Sequence, residues 1–399
     1  MTPENLVGPL VGAVLDGRYR VEAVIASGGM STVYRGHDLR LDRPVALKVM
    51  DARYAGDQQF LTRFQREARA IARLKHPGLV AIYDQGGSEQ GAGAPPFLVM
   101  ELVEGGTLRE LLRERGPMPP HAVAAVLRPV LGGLSEAHRA GLVHRDIKPE
   151  NVLISRDGEV KLVDFGLVRA IAEAGITATS VILGTASYLS PEQVVGSPIG
   201  PRSDIYSAGI MAFELLTGTT PFVGDTALTV AHQRLDRDVP APGSVIDGVP
   251  PQFDRFIARA TARDPRARFP DASAMAAELE SIAEQLDLPA FRVPAPTKSA
   301  QAAAATVNLR RPAERPAPQA TRQFTPAPPL AAPPPAPADD EDFEPVRQFA
   351  GIDIDDFGYA RQRARRVTVF WVLAVLVLTG LVAAAAWSAG TNLDGLLGR

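Results

Sequence analysis

The spacing of hydrophobic residues changes once along the folded part of the chain. From Tyr19 to Glu101, short apolar runs such as Phe97 to Leu102 are separated by turn residues and predict strands. Beyond them, apolar residues recur every three or four positions, as in Ala122 to Ala140, which predicts amphipathic helices. We therefore predict an α+β fold with a small sheet-rich lobe, 19–101, and a larger helical lobe, 102–290. A ligand is expected at the seam between the lobes.

The pattern changes again after the second lobe. Residues 291–366 are dominated by Pro and Ala with scattered Arg, which predicts a disordered, partly extended linker because such a segment cannot bury a core. Residues 367–388 carry no charge, and a run of ~20 apolar residues matches a ~30 Å hydrocarbon core. The alternative, a buried helix of a soluble domain, is disfavoured because only a short tail, 389–399, follows. The sequence therefore predicts one transmembrane helix.

Charge and composition indicate where the protein is located and exclude some kinds of partner and chemistry. Arg361, Arg363, Arg365 and Arg366 precede the predicted span, so the positive-inside rule places the lobes in the cytoplasm of a cell-membrane protein. The net charge of −3 gives no basic footprint and argues against a nucleic-acid partner. The chain has no cysteine, which excludes disulfides, thiolate metal sites and cysteine nucleophiles. The N-terminal extension, 1–18, lacks a basic leader before an apolar run, which argues against a cleaved signal peptide.

The strongest chemical signal is a run from His144 to Asn151, followed by Asp164-Phe165-Gly166. Asp146 supplies a carboxylate that could accept or orient a hydroxyl proton, and Lys148 supplies a cation for a transferring phosphoryl group. Asn151 and Asp164 supply oxygen ligands for magnesium. The alternative, a polar turn between a helix and a strand, is disfavoured because several residue types occur together at the required offsets. The pattern predicts phosphoryl transfer.

A second motif lies near the start of the first lobe. Small residues between two strand-like runs would let the backbone approach phosphates, although a pair of glycines is by itself more typical of a plain hairpin turn. The candidate phosphate-binding residues are Ile25, Ala26, Ser27, Gly28, Gly29, Met30, Ser31, Thr32 and Val33. Lys48 ends a strand-like run and could reach the α- and β-phosphates, and Glu67 on a predicted helix is its proposed ion-pair partner. Alone, each would be a surface charge, but their order and spacing favour the functional interpretation.

Together these motifs resemble the eukaryotic-type, or Hanks-type, protein kinase family over about two-thirds of the chain. The resemblance implies a bilobal fold, with a five-stranded antiparallel sheet and helix C in the N-lobe, and it implies ATP with Mg²⁺ or Mn²⁺. It also implies an adenine pocket that would otherwise be interpreted as ordinary core. The residues carried over for this pocket are Val33, Ala46, Met100 and Leu153 as walls, with the backbone of Glu101 and Val103 bonding the base. Lys148 and residues 184–192 resemble the serine/threonine branch.

The same resemblance implies a scaffold in the second lobe. Thr185 would support the catalytic loop, which is the run from His144 to Asn151. Asp204 would have a structural and not a catalytic role, and Arg268 would pair with Glu192.

Regulation follows from the same family pattern. Arg145 precedes Asp146, which implies an activation segment that a phosphothreonine orders, with Thr177 and Thr179 as candidates. The alternative is that they are two exposed loop threonines. Arg18 and Asp84 match positions of a homodimer contact between N-lobes, although either could be a solvated charge.

The glycine loop, the threonine pair and the predicted span are similar to actinobacterial receptor-like kinases. Ala26 and Ser31 depart from the glycines usual in that loop, and weaker nucleotide binding is the most that we expect from them.

Three functional hypotheses follow. The leading one is a membrane-anchored serine/threonine protein kinase that phosphorylates itself and cytoplasmic proteins. A pseudokinase scaffold, which binds partners without phosphoryl transfer, is the second. It is disfavoured because a scaffold needs none of Lys48, Glu67, Asp146, Asn151 and Asp164. A small-molecule kinase is the third, and it is disfavoured because residues 184–192 suit a peptide platform.

Overall fold

In the computed structural model, strands come first along the chain and helices follow. The structure describes residues 8–29, 31–51, 58–87, 95–165 and 186–299, together with the backbone of a two-residue strand pair, Gln348–Phe349 and Ile352–Asp353. The predicted α+β, two-lobed arrangement is confirmed.

The first lobe is an antiparallel sheet with one helix, α1 (Gln58–Ile71). Six strands among the described residues pair in the order β1-β2-β3-β4-β6-β5. They are β1 (Val14–Leu15), β2 (Tyr19–Ser27), β3 (Ser31–Asp38), β4 (Arg43–Met50), β5 (Ile82–Gly86) and β6 (Phe97–Met100). The prediction of five strands and a separate extension 1–18 was wrong. Strand β1 comes from that extension, where Leu10, Val11 and Leu15 pack against the apolar outer face of the sheet.

Alternation along β4 decides which side chains face the second lobe. Successive side chains of a strand point to opposite faces. Val45, Leu47 and Val49 belong to the cluster on the outer face, whereas Ala46 and Met50 belong to the large core that continues into the second lobe. Lys48 is two residues from both Ala46 and Met50, so its side chain lies on the same face of β4, towards the second lobe.

The second lobe is built from helices around a small three-stranded sheet. The sheet pairs β7 (Gly105–Thr107), β8 (Val152–Ser155) and β9 (Val160–Leu162) in that order. The described helices are α2 (Leu108–Arg115), α3 (Pro120–Arg139), α4 (Pro191–Val194), α5 (Pro201–Thr217), α6 (Ala227–Asp236), α7 (Pro251–Ala260) and α8 (Ala272–Gln285). Helix α5 is buried over almost its whole length and forms the centre of the lobe. The β7–β8–β9 sheet lies at the border with the first lobe, where Leu79 bridges to Leu162.

The prediction of a linker from residue 291 was wrong for residues 291–299. Residues 291–299 pack on the second lobe, with the Phe291 ring 5.1 Å from that of His121 and Val293 only 2% exposed. The composition of this segment conceals its few apolar anchors and its hydrogen-bonding hydroxyl groups. The rest of the predicted linker, apart from the short strand pair, and both the span 367–388 and the tail 389–399 lie outside the described residues. Within the described ranges, no helix has both the length and the apolar character needed to cross a bilayer.

Candidate active site

The carboxylate of Asp146 lies at the centre of a polar cluster between the lobes. Its Oδ2 accepts a hydrogen bond from Asn151 Nδ2 at 2.9 Å and forms an ion pair with Lys148 Nζ at 2.8 Å. Asn151 Nδ2 also donates to the backbone carbonyl of Asp146 at 2.7 Å. The second oxygen, Oδ1, is buried and has no hydrogen-bond partner. Burial of an unpartnered carboxylate oxygen is costly, so this atom is positioned to accept a proton or hydrogen bond from a substrate.

Asn151 and Asp164 are brought together by the β8–β9 hairpin. Val152 pairs with Leu162 across it, and the Val163 N–H donates to the Asn151 carbonyl at 2.9 Å, so Asp164 lies one residue past that contact. Because the Asn151 amide nitrogen faces Asp146, its oxygen is directed elsewhere. An amide and a carboxylate oxygen fit Mg²⁺, which takes few protein ligands and completes its shell with phosphates and water. The described residues contain no group of three or more His, Cys, Asp or Glu that could hold a metal ion.

Lys48 reaches Asp164 from the first lobe. Its Nζ lies 2.7 Å from Asp164 Oδ1, and the lysine is only 3% exposed. Burial acts to raise the pKa of Asp164, but neighbouring basic groups, above all Lys48 through its charge and hydrogen bond, together hold that pKa below its usual range. Lys148 acts in the same direction, so the cations of both lobes influence one carboxylate. Glu67 lies on α1 with Oε2 shielded from solvent, and its predicted pairing with Lys48 stays a prediction.

The glycine motif forms the turn of the β2–β3 hairpin. The Gly28 N–H donates to the Ser31 carbonyl at 2.9 Å, and Ser27 pairs with Thr32 and Ala26 with Val33 across the strands. A Cβ on Gly28 would meet only the Ser31 carbonyl at 3.6 Å, and one on Gly29 would meet nothing within 4 Å. Neither glycine has a positive φ. The turn does not itself require glycine, which favours the phosphate-binding interpretation over the plain-hairpin one.

The residues predicted to hold adenine share one apolar cluster. Ala46, Met100 and Val103 are buried in the large core, and Val33 and Leu153 pack against it. Ile25 is also buried, at the end of β2 nearest the glycine turn. The Glu101 N–H donates to the Ala81 carbonyl at 2.9 Å, so only its carbonyl could bond the base.

Two backbone positions in the cluster have unusual conformations. Arg145 has a φ of 69° and Asp164 a φ of 66°, in the left-handed region that non-glycine residues rarely adopt. The first is held by Asp204 in α5, whose Oδ1 accepts from the Arg145 N–H at 2.7 Å and whose Oδ2 accepts from the His144 N–H at 2.8 Å. Asp204 therefore attaches the catalytic loop to the buried centre of the second lobe.

His144 connects the two sides of the cluster. Burial lowers its pKa although neighbouring carboxylates oppose this, so the ring stays neutral at pH 7. Its Nε2 bonds the Val163 carbonyl at 3.0 Å and its Nδ1 accepts from the Asp146 N–H at 3.3 Å, which sets the Nε2–H tautomer. Its ring packs on Phe165 at 4.6 Å between centroids.

Sequence reasoning missed a second polar cluster below the catalytic loop. Arg109 of α2 pairs with Glu150 of that loop at 2.9 Å and with Glu214 of α5 at 2.6 Å, and it also bonds the Tyr188 hydroxyl. Arg109 and Glu214 are 105 residues apart, so no local spacing could have indicated the contact. Lys161, paired with Glu101 at 2.6 Å, was missed for the same reason.

The predicted scaffold pair of the second lobe is confirmed. Arg268 bonds both oxygens of Glu192, at 2.8 and 2.9 Å, and both residues are buried. In the first lobe, Arg18 pairs within the chain with Asp38 at 2.8 Å and with Asp84 at 3.2 Å, while the predicted dimer contact of Arg18 and Asp84 stays a prediction.

Of the residues predicted for the site, its motifs and its regulation, those outside the described residues are Met30, Gly166, Thr177, Thr179, Gly184 and Thr185.

Comparison with known proteins identifies the family. The family described as "Protein kinase domain" matches residues 19–279. The chain therefore belongs to the protein kinase family, and within it to the Hanks-type serine/threonine protein kinases, as the motifs predicted.

Relatives of this chain include mycobacterial kinases. The serine/threonine-protein kinase PknL of Mycobacterium bovis is 64% identical over 396 residues, which cover 98% of each chain. The serine/threonine-protein kinase PknB of Mycobacterium leprae is 42% identical over 266 residues, which cover 66% of this chain and 43% of PknB. Among solved structures, the PknI kinase domain of Mycobacterium tuberculosis is similar with a TM-score of 0.54 and 26% identity. That match covers 69% of this chain and 99% of that domain.

Proposed function

We propose that this chain is a membrane-anchored serine/threonine kinase that transfers the γ-phosphoryl group of ATP to hydroxyls of its own activation segment and of cytoplasmic proteins. The observation that carries the proposal is the carboxylate of Asp146. One of its oxygens is held by Lys148 and Asn151, while the other is buried without a partner. This arrangement fixes the side chain and leaves one atom for a substrate hydroxyl.

The surrounding residues have separate roles in this proposal. Asp146 Oδ1 orients the hydroxyl and receives its proton, and Lys148 neutralises charge on the transferring group. Lys48, which is buried and paired with Asp164, would bind the α- and β-phosphates when nucleotide enters. Asn151 and Asp164 would hold Mg²⁺, which supplies neutralisation of charge on the β- and γ-phosphates. Adenine would lie between Val33, Ala46, Met100 and Leu153, with bonds to the backbone of Glu101 and Val103, and Ile25 would also contact the nucleotide.

Transfer of labelled phosphate by the purified full chain, with ATP and Mg²⁺ and a generic protein substrate, tests this proposal. Asp146→Asn keeps the shape of the side chain but removes the base, and we expect a loss of about 10²–10⁴-fold in rate. Lys48→Met should have a comparable effect through lost phosphate positioning. Asp238→Asn is the matched control, because Asp238 is an exposed carboxylate paired with Arg263 on the surface. Equal rates for Asp146→Asn and the control, or no transfer by the unaltered chain, would favour the pseudokinase alternative.

Autophosphorylation and anchoring are parts of the same proposal. The placement of Thr177 and Thr179 between Asp164 and Glu192 supports them as phosphorylation sites, and mapping phosphate in the same reactions tests them. The charge-free run 367–388 after four arginines supports a single-pass span with the kinase domain in the cytoplasm. Fractionation of cells that produce the full chain or a chain ending at residue 366 tests the span, since only the former should remain with membranes.

A homodimer through the N-lobes is proposed from Arg18 and Asp84. Sedimentation of the full chain and of its Arg18→Ala variant tests the dimer, which should weaken in the variant.

A further inference from the structure

The segment that follows the second lobe lies across it in a defined path. This segment, residues 291–299, is here called the strap. At its start Phe291 packs on His121 of α3, and the Arg292 side chain donates from Nε to the Asp157 carbonyl at 2.7 Å. Val293 is 2% exposed. The strap thus connects the kinase domain to the predicted linker and span.

Strand β7 is shaped to receive the end of the strap. Ser299 is 4% exposed, and its hydroxyl donates to the Gly105 carbonyl at 2.6 Å. A Cβ on the neighbouring Gly106 would lie 2.7 Å from the Ser299 Cβ and would also overlap Pro296. Gly106 does not have a positive φ, so close approach of the strap, and not backbone conformation, explains glycine there.

The strap is fastened to α2 by a single carboxylate. Glu114 Oε1 accepts from the Thr297 hydroxyl at 2.9 Å, and Oε2 accepts from the N–H groups of Thr297 at 2.7 Å and Lys298 at 3.3 Å. Glu114 lies in the last turn of α2, where the helix dipole disfavours a negative charge. Partial burial acts to raise its pKa, but these hydrogen bonds from the strap outweigh it and lower that pKa.

The Thr297 hydroxyl is the exposed element of this fastening. Thr297 is exposed and lies at a bend between Pro296 and Lys298, outside any helix or strand. An exposed hydroxyl that no helix or strand holds is suited to enter a peptide-binding cleft once the strap detaches. A phosphate there would replace a hydrogen-bond donor by nearly two negative charges beside Glu114. Arg115 already forms an ion pair with Glu114 at 3.3 Å, so its charge is engaged by that carboxylate.

We propose that Thr297 is a phosphorylation site and that its modification releases the strap from β7 and α2. The proposal rests on the proposed kinase function. In the modification step, Thr297 Oγ1 forms a bond to the γ-phosphorus of ATP while the bond from that phosphorus to the β–γ bridging oxygen breaks. ADP leaves, and the hydroxyl proton passes to Asp146 of the acting kinase molecule.

Release of the strap would change both the connection to the predicted span and the nucleotide site. The released strap residues would be added to the predicted linker and would lengthen the connection to the predicted span. Strand β7 would lose its outer cover, and its residue Thr107 pairs directly with Leu153, a predicted wall of the adenine pocket. A modification outside the active site would therefore alter nucleotide binding through one pair of residues on neighbouring strands.

The first part of the test maps the modification. Unaltered full chain is mixed with ATP, Mg²⁺ and an Asp146→Asn full chain as acceptor, and phosphopeptides of the acceptor are identified by mass spectrometry. Phosphate on Thr297 supports the proposal. Phosphate on other hydroxyls with none on Thr297 overturns it while the kinase function stands. Absence of phosphate from every hydroxyl and from a generic substrate overturns the kinase function, and the proposal with it.

The second part measures release without any catalysis. In the Asp146→Asn full chain, hydrogen exchange of the peptide containing the Thr297 and Lys298 amides is compared for Thr297→Glu and Thr297→Val. Valine has the shape of threonine without its hydroxyl, so it tests the loss of the hydrogen bond alone. We expect glutamate to accelerate exchange by at least about tenfold, because hydrogen bonds to a charged group are each worth about that factor. We expect a smaller change with valine.

A further variant isolates the charge. Adding Glu114→Gln to Thr297→Glu keeps an acceptor on α2 but removes the repulsion, so exchange should slow again. Equal exchange in the glutamate and valine variants, or no slowing with Glu114→Gln, would show that charge on residue 297 does not open the strap and would overturn the proposal.

Discussion

Asp204→Asn should separate the catalytic loop from its support in α5. The carboxylate accepts three hydrogen bonds, from the N–H groups of His144 and Arg145 and from His138 Nε2, at 2.7 to 2.8 Å, and the residue is fully buried. Asparagine has one acceptor oxygen, so its amide group must face at least one buried N–H donor. Loss of a bond to a buried charge, plus an unsatisfied donor, amounts to about 3–5 kcal/mol of unfolding free energy. That is a large fraction of the ~5–15 kcal/mol typical of a domain.

The same change should reduce catalysis more than nucleotide binding. Asp204 holds Arg145 at its positive φ, and Asp146 follows directly, so a displaced loop should lower kcat by about 10²-fold with a small change in KM for ATP. Urea unfolding and steady-state phosphoryl transfer measure the two effects. Asp238→Asn is the control, since an exposed pair with Arg263 is worth at most about 1 kcal/mol. Unaltered stability and kcat in Asp204→Asn would refute the reasoning.

Two further predictions concern burial in the second lobe. Arg268→Met leaves Glu192 buried without its bidentate partner. It should lower the free energy of unfolding, measured by urea denaturation, by about 3–5 kcal/mol. A loss below the ~1 kcal/mol of an exposed ion pair would contradict this. Val293→Ala removes two buried carbons and should cost about 2 kcal/mol by the same measurement. An effect near zero would mean that the strap does not pack in solution.

Much of the catalytic centre could be predicted because its residues are close in sequence. Asp146, Lys148 and Asn151 lie in one loop, and their mutual contacts follow from that short separation. The apolar run before Lys48 likewise predicted a strand, although the observed strand, β4, continues to Met50. The residues expected to carry out phosphoryl transfer could therefore be identified before the fold was known.

Other contacts depended on which elements pack together. Lys48 meets Asp164, and Arg109 meets Glu214, only because the lobes and helices bring distant segments into contact. The prediction of a linker from residue 291 failed for a related reason. Composition shows how little apolar surface a segment has. It does not show whether a glycine on a neighbouring strand, such as Gly106, leaves room for the segment to pack there.

The sequence by itself determined the change from strands to helices along the chain and the chemistry of the catalytic loop, since both depend on periodicity and on neighbours a few residues away. The tertiary structure alone decided the added strand β1, the support of the loop by Asp204 and the path of the strap. Those features are contacts between segments far apart along the chain. Periodicity shows which face of an element is buried, but only packing determines what covers it.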